Sequence, residues 1–378
     1  MTSVTIAAPF TEADLATALA PFGRSTGLPA EAYSSPEVLV WEQRHLFASS
    51  WLCVGRAIEL LPEGASHAAT TAGRVPVLLT RGPDGTVAAL ANTCRHRGHE
   101  LLADGSTAGG RALVCPYHAW SYDLSGALIA APGFAEDLDA NEHRLVRLPV
   151  QEWHGWIFVT ALGDAAPFAE HVGALADLVA PYAPERLFLR ARHDYDVAAN
   201  WKVMIENYHE CYHCPLIHPE LCQVSPPASG RNLDLPGRWI GGPMDLHDGA
   251  VTMSLDGTSR GRPIAGVDAQ HVYYLGLLPN LLLSLHPDYL MTHRLTPLEP
   301  GRTRIECSWF FPDPDVDPAY AVDFWDLTNR QDWAACESVQ RGLQSPHYRP
   351  GPLAPNEDAV HQFVTAIARG YLQGSLPS

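Results

Sequence analysis

Cys94-Arg95-His96-Arg97-Gly98 is followed, after a sixteen-residue spacer, by Cys115-Pro116-Tyr117-His118-Ala119-Trp120. Each segment brings one cysteine and one histidine, as C-x-H and then C-x-x-H. Each closes a short apolar run, and Gly98, Gly105, Gly109 and Gly110 lie around them. Loops of this kind can fold two donors each around one centre. Two centres use this donor set. A tetrahedral zinc ion takes two cysteines and two histidines, and zinc fingers usually present them as a cysteine pair and then a histidine pair. A [2Fe–2S] cluster with two thiolates on one iron and two imidazoles on the other suits the interleaved order, and imidazole raises its reduction potential. The order favours the cluster and leaves zinc as the alternative.

Working outward, residues 46–160 read as short β runs broken by turns. Trp51-Leu52-Cys53-Val54, Val75-Pro76-Val77-Leu78-Leu79, Val87-Ala88-Ala89-Leu90 and Trp156-Ile157-Phe158-Val159 are candidate strands, with Pro83-Asp84-Gly85 as a hairpin turn. Residues 1–45 read as a helical N-terminal arm, opened by the capping pattern Thr11-Glu12-Ala13-Asp14. Residues 161–378 mix long helical patterns with strands such as 281–285 and 304–311, an α+β pattern. The length, 378 residues, suits two or three domains.

The chain carries 25 basic and 42 acidic residues, a formal net charge of −17. Such a surface repels phosphate backbones, so nucleic acid is excluded as an expected partner. No apolar run is long enough for a membrane span, and the N-terminus lacks a secretory pattern. A cytoplasmic, reducing location is therefore expected. The eight cysteines are then expected to stay out of disulfides, and those near histidine to bind metal.

A second motif lies at 200–213, Asn-Trp-Lys-Val-Met-Ile-Glu-Asn-Tyr-His-Glu-Cys-Tyr-His. Wound as one helix, it places Trp201, Met204, Ile205, Tyr208, Cys211 and Tyr212 on one face. Lys202, Glu206, His209, Glu210 and His213 then face the other way. Cys214-Pro215 discourages further helix, and His218 follows that break. The bend lets His213 and His218 converge on one metal ion. A solvated polar face is the plain alternative, and zinc on Cys211, His213, Cys214 and His218 is another. A carboxylate from elsewhere would complete two histidines and one acid, with open positions for O₂. The helical pattern over 322–343 offers Asp332, on the face shared by Trp325, Ala335, Cys336, Val339 and Leu343. A carboxylate there needs a metal or a buried ion pair.

Taken together, Cys94-Arg95-His96-Arg97-Gly98, Cys115-Pro116-Tyr117-His118-Ala119-Trp120 and the Asn-Trp-Lys to His218 segment resemble the Rieske non-haem iron oxygenase alpha subunits. The resemblance covers most of the chain. It implies an α+β fold in which a small all-β Rieske domain precedes a helix-grip catalytic domain, an antiparallel sheet with helices. It implies that Cys94, His96, Cys115 and His118 hold a [2Fe–2S] cluster, and that His213, His218 and Asp332 hold mononuclear Fe(II). Glu210 stands at the place of the family's bridging carboxylate, which links His213 to His118 of a neighbouring subunit. Asn207 stands near the place of an amide beside the iron, one residue short of the naphthalene-type spacing.

The same resemblance implies a homotrimer and electrons from NAD(P)H through a separate reductase, with or without a ferredoxin. The chain has no G-x-G-x-x-G dinucleotide fingerprint of its own. The Glu-Cys-Tyr-His-Cys string, 210–214, is similar to oxygenases of the carnitine, glycine-betaine and stachydrine type. These hydroxylate a C–H beside nitrogen, leading to N-demethylation or C–N cleavage. Ten Trp and thirteen Tyr could furnish an aromatic cage for such a cation. Hydroxylation or dihydroxylation of an aromatic ring or acid is the runner-up. A Rieske electron carrier and a zinc-binding interaction protein are the readings outside oxygenase chemistry.

Overall fold

Local turn chemistry sets the first sheet. Gly82 N–H donates to Thr86 O at 2.8 Å, and Asp84 Oδ1 accepts from Thr86 N at 3.1 Å. That turn joins the strands Val75–Arg81 and Val87–Ala91. The structure, a computed structural model, describes residues 8–134, 138–163 and 166–377. The first seven residues of the N-terminal arm lie outside these. The chain divides into one unit of residues 43–168 and another of residues 1–42 with 169–378.

The 43–168 unit is all antiparallel sheet apart from short helical turns. Its five-stranded sheet runs Thr107–Ala108, His67–Ala72, Val75–Arg81, Val87–Ala91, Arg147–Leu148. A three-stranded sheet pairs Trp156–Val159 with Leu52–Arg56 and Val150–Trp153. The last sheet is Ala112–Val114, Ser121–Asp123, Leu128–Ala130. Leu78, Leu90, Leu113, Trp120, Tyr122 and Leu145 form a core that also buries Cys94 and Cys115.

The other unit is built on a six-stranded antiparallel sheet. Its order is Phe188–Val197, Arg302–Phe311, Leu290–Glu299, Leu281–Leu285, His271–Leu277, Trp239–Asp245. The helices Trp201–Tyr208, Ala319–Leu343 and Asp358–Gln373 pack together and against this sheet. No helix among the described residues is long and apolar enough to cross a membrane.

Three expectations are corrected here. The helix that opens at Asn200 ends at Tyr208, so residues 209–213 do not continue its faces. Asn200 caps it, its Oδ1 accepting from Lys202 N at 3.0 Å. Secondly, Lys202 does not face solvent. It is fully buried, with Nζ 2.6 Å from Glu42 Oε1, and Trp201 Nε1 donates to Glu42 Oε2 at 2.8 Å. Tyr371 donates to the same carboxylate. A buried lysine must be paired, and this pair ties the helix to Pro36–Glu42 and to Asp358–Gln373. Glu206 is likewise engaged, accepting from Tyr33 OH at 2.6 Å. Thirdly, Cys211 and Cys214 are joined as a disulfide, with Cα atoms 4.9 Å apart. Because the helix stops early, Cys211 does not point away from the histidines. It turns back beside Cys214.

Candidate metal centres

Cys94 and Cys115 head two loops of the same design. Cys94 N donates to His99 O and Cys115 N to Trp120 O, both at 2.8 Å. Four residues after each cysteine the chain bonds back to the cysteine carbonyl, from Gly98 at 2.9 Å and from Ala119 at 3.0 Å. Both of those residues have positive φ, 75° and 58°. Glycine meets that conformation freely, whereas Ala119 holds it at a local cost. The paired turns bring His96 and His118 together, with ring centroids 4.6 Å apart. Both Nδ1 atoms are buried and have no hydrogen-bond partner, and the two thiols are buried and unbridged. Orphaned imidazole nitrogens beside buried thiols need a cation, so these four side chains fit a metal centre. Among the described residues, the three donors that converge for one ion lie elsewhere, which weighs against a single zinc here.

Trp120 stacks on His96 at 5.0 Å, and Tyr117 lies 3.7 Å from His118. No sequence pattern marks Tyr122. Its hydroxyl accepts from Arg95 N at 3.0 Å, which leaves its own proton for Cys94 Sγ at 3.4 Å. Burial, with the Cys94 contact, holds this phenol protonated far above its ordinary range. Were Cys94 to hold a cluster, a hydrogen bond to its thiolate would stabilise the reduced state. Tyr122→Phe is therefore expected to lower the reduction potential. A bond of about 1 kcal/mol corresponds to roughly 40 mV for one electron. Redox titration of the visible spectrum measures it.

The second centre begins where the helix Trp201–Tyr208 stops. Glu210 captures the next backbone: its Oε2 accepts from Tyr212 N at 2.5 Å and from His213 N at 3.3 Å. A single helical turn, Cys214–Ile217, follows, with Pro215 near its start. His213 caps its beginning and His218 its end, where Pro219 opens Pro219–Val224. The two histidines thus stand at opposite ends of one turn. From the middle of Ala319–Leu343, Asp332 meets them.

The three ligand atoms form a tight triangle. His218 Nε2 lies 2.8 Å from Asp332 Oδ1, His213 Nε2 lies 3.3 Å from it, and the two Nε2 atoms are 3.2 Å apart. Cis ligands about 2.1 Å from an ion lie roughly 3 Å apart, so the triangle fits one face of an octahedron. Hydrogen bonding fixes the tautomers. Glu210 Oε1 is 2.5 Å from His213 Nδ1, and a carboxylate can only accept, so that nitrogen carries a proton and Nε2 is the one that a metal would take in place of a second proton. Burial alone would lower the basicity of His213, but its bonds to Asp332 and Glu210 outweigh that and push it up to about 10. Burial would raise the Asp332 carboxyl, and the two histidines hold it below its ordinary range. The site therefore demands positive charge between its three donors.

Asn207 Nδ2 lies 3.5 Å from His213 Nε2, so this amide also borders the triangle. Cys211 and Cys214 line the same cavity, and as a disulfide they supply no thiolate for zinc. Val339, expected on the face of Asp332, is half exposed. The cavity that reaches the triangle is walled by Met204, Tyr274, Leu282, Trp325 and Trp333. Tyr208 and Tyr274 meet edge to face at 5.9 Å, and Tyr274 and Trp325 at 6.0 Å. Trp325 is anchored by its Nε1, which donates to Tyr289 OH at 2.7 Å.

Comparison with known proteins places these observations in a lineage. Residues 184–373 match the profile of the ring-hydroxylating alpha subunit catalytic domain, and residues 50–151 that of the Rieske [2Fe–2S] domain. The glycine betaine monooxygenase oxygenase subunit of Chromohalobacter salexigens is 32% identical, over 89% of this chain and 84% of its own length. The carnitine monooxygenase oxygenase subunit of Acinetobacter baumannii is 36% identical, over 50% of this chain and 52% of its own. In fold, the chain is similar to the quaternary ammonium Rieske monooxygenase CntA solved with L-carnitine. The TM-score is 0.75 at 24% identity, over 96% of this chain and 99% of that one.

Proposed function

This chain belongs to the Rieske ring-hydroxylating oxygenase alpha subunits, and from that premise we propose that it hydroxylates a C–H bond beside nitrogen in a small quaternary or methylated amine. One observation carries the proposal: the cavity that His213, His218 and Asp332 border is walled by Tyr274, Trp325 and Trp333. Aromatic faces attract a desolvated quaternary ammonium group, and the acidic Glu210 and Asp358 on the same lining add to that attraction. Among the described lining residues, the one basic side chain besides histidine is Arg231, which offers a partner to a substrate carboxylate. Relatives named for glycine betaine and carnitine support the same class.

Cys94, Cys115, His96 and His118 would hold the [2Fe–2S] cluster, and His213, His218 and Asp332 would hold Fe(II). When bound, the cluster stores one electron at a time and the ferrous ion activates O₂. The protein's own part is positional. Glu210 fixes the proton on His213 Nδ1 and leaves Nε2 for the metal. Asn207 offers an amide donor beside the same nitrogen. The aromatic walls keep water from the reacting carbon. One oxygen atom enters the C–H bond and the other leaves as water, so each turnover takes two electrons and two protons from outside. A hydroxylated N-methyl group then breaks its C–N bond, giving formaldehyde and the demethylated amine.

The electrons come from NAD(P)H through a separate reductase, with or without a ferredoxin. The working form is a homotrimer in which Glu210 of one copy approaches His118 of the next. Three exposed side chains support a head-to-tail ring. Tyr212 and Leu216, beside His213, are 64% and 92% exposed, and Tyr117, beside His118, is 51% exposed. Large apolar groups so open to water suit a protein interface. A panel of trimethylammonium carboxylates and aromatic acids, assayed with a surrogate reductase for product and formaldehyde, tests the substrate class. Turnover of the ammonium compounds is expected. Turnover of aromatic acids alone would replace this reading with the ring-hydroxylating one.

A further inference from the structure

We infer that Gln331 is a positioning residue that sets the tautomer and the basicity of His218; the inference rests on the reading of His213, His218 and Asp332 as an iron site. His218 is buried, and both of its ring nitrogens are held by consecutive residues of the helix Ala319–Leu343. Asp332 Oδ1 lies 2.8 Å from Nε2, and Gln331 Oε1 lies 2.7 Å from Nδ1. Neighbouring helical positions point about 100° apart, which lets one helix reach both edges of a single imidazole.

Which end of the Gln331 amide faces the histidine follows from its other partner. Gln331 Nε2 lies 3.4 Å from Glu220 Oε2. An ionised carboxylate accepts and cannot donate, so the NH₂ group belongs on the Glu220 side. The amide oxygen then faces His218, and Nδ1 must carry the proton. Nε2, 2.8 Å from Asp332 Oδ1, is then the nitrogen that would exchange its proton for the metal shared with Asp332 and His213. Glu220 thus acts through Gln331, and Gln331 through His218.

The two histidines are consequently unequal. His213 gives its Nδ1 proton to a carboxylate, Glu210, whereas His218 gives its proton to a neutral amide. A carboxylate partner lends an imidazole more anionic character than an amide does. Gln331 therefore keeps His218 the weaker donor of the pair. The stronger donor is the one that Glu210 holds. Glu220 and Gln331 come from segments 111 residues apart, so neither spacing nor periodicity signals the arrangement.

Two variants test this. Gln331→Leu removes the acceptor and leaves a buried N–H unpaired. Its Fe(II) affinity, measured by retention of mononuclear iron against graded chelator, is expected to fall roughly 10- to 100-fold. The double variant Glu220→Gln/Gln331→Glu exchanges the two groups, keeping one amide against one carboxylate while placing the carboxylate on His218. It is expected to retain iron and to shift the electron-resonance signature of the ferrous–nitric oxide complex, a readout independent of turnover. An unshifted signature in the exchanged variant overturns the inference, as does wild-type affinity in Gln331→Leu. Should Gln331→Leu fail to fold, the exchanged variant decides alone. If the unaltered chain binds no mononuclear iron, the iron-site reading itself falls, and the inference with it.

Discussion

Asp332→Ala is expected to empty the mononuclear site while the protein keeps the visible colour of its cluster. Asp332 supplies the one anionic ligand of the triangle, and both histidine Nε2 atoms lie within 3.3 Å of its Oδ1. Without it, two neutral imidazoles face each other 3.2 Å apart with no charge to hold a dication. Zinc-finger peptides gain roughly 10–16 kcal/mol from binding their ion through four ligands, so one ligand is worth on the order of 3–4 kcal/mol. Affinity should drop by several hundred-fold or more, and turnover should fall to background. Iron analysis beside the absorption spectrum reads both effects. Full retention of the mononuclear iron would mean that another carboxylate completes the site.

Glu210→Gln should leave both centres loaded and slow the electron between them. The carboxylate is held by three groups: two backbone amides on Oε2 and His213 Nδ1 on Oε1. Glutamine preserves the shape and can still accept from Nδ1, but the negative charge is lost. Changing a partner behind a metal ligand typically costs 10- to 100-fold, and here the same group is expected to face the neighbouring copy's cluster. A drop of roughly 100-fold in the rate of cluster reoxidation under single turnover at saturating substrate is expected. An unchanged reoxidation rate would show that electrons bypass Glu210.

The candidate donors are legible in the sequence because metal chemistry restricts residue types. Cys94, His96, Cys115 and His118 interleave in a way that suits two irons, and Cys214-Pro215 marks the break between His213 and His218. Asp332 stood out because a carboxylate on an apolar helical face needs a partner. The end of the helix at Tyr208 was not legible, since residues 209–213 keep a helical pattern. What stops it is Glu210 turning its side chain onto the backbone of Tyr212 and His213. The solvated face expected for Lys202 fails for the same reason that Gln331 and Tyr122 carry no sequence signal. Their partners, Glu42, Glu220 and Cys94, come from distant segments, and one-dimensional periodicity holds no record of such pairings. The Cys211–Cys214 bond likewise depends on the early stop of the helix.

Two iron centres of different kinds in one polypeptide are the premise on which substrate, reductase and ring all depend. Metal and acid-labile sulfide analysis of the freshly isolated protein, with electron resonance of the reduced state, tests it most directly. The expected result is about three iron atoms and about two sulfides per chain, with the signal of a histidine-ligated [2Fe–2S] cluster. About two irons with no mononuclear metal would reduce the protein to an electron carrier, and a colourless protein holding only zinc would contradict both centres.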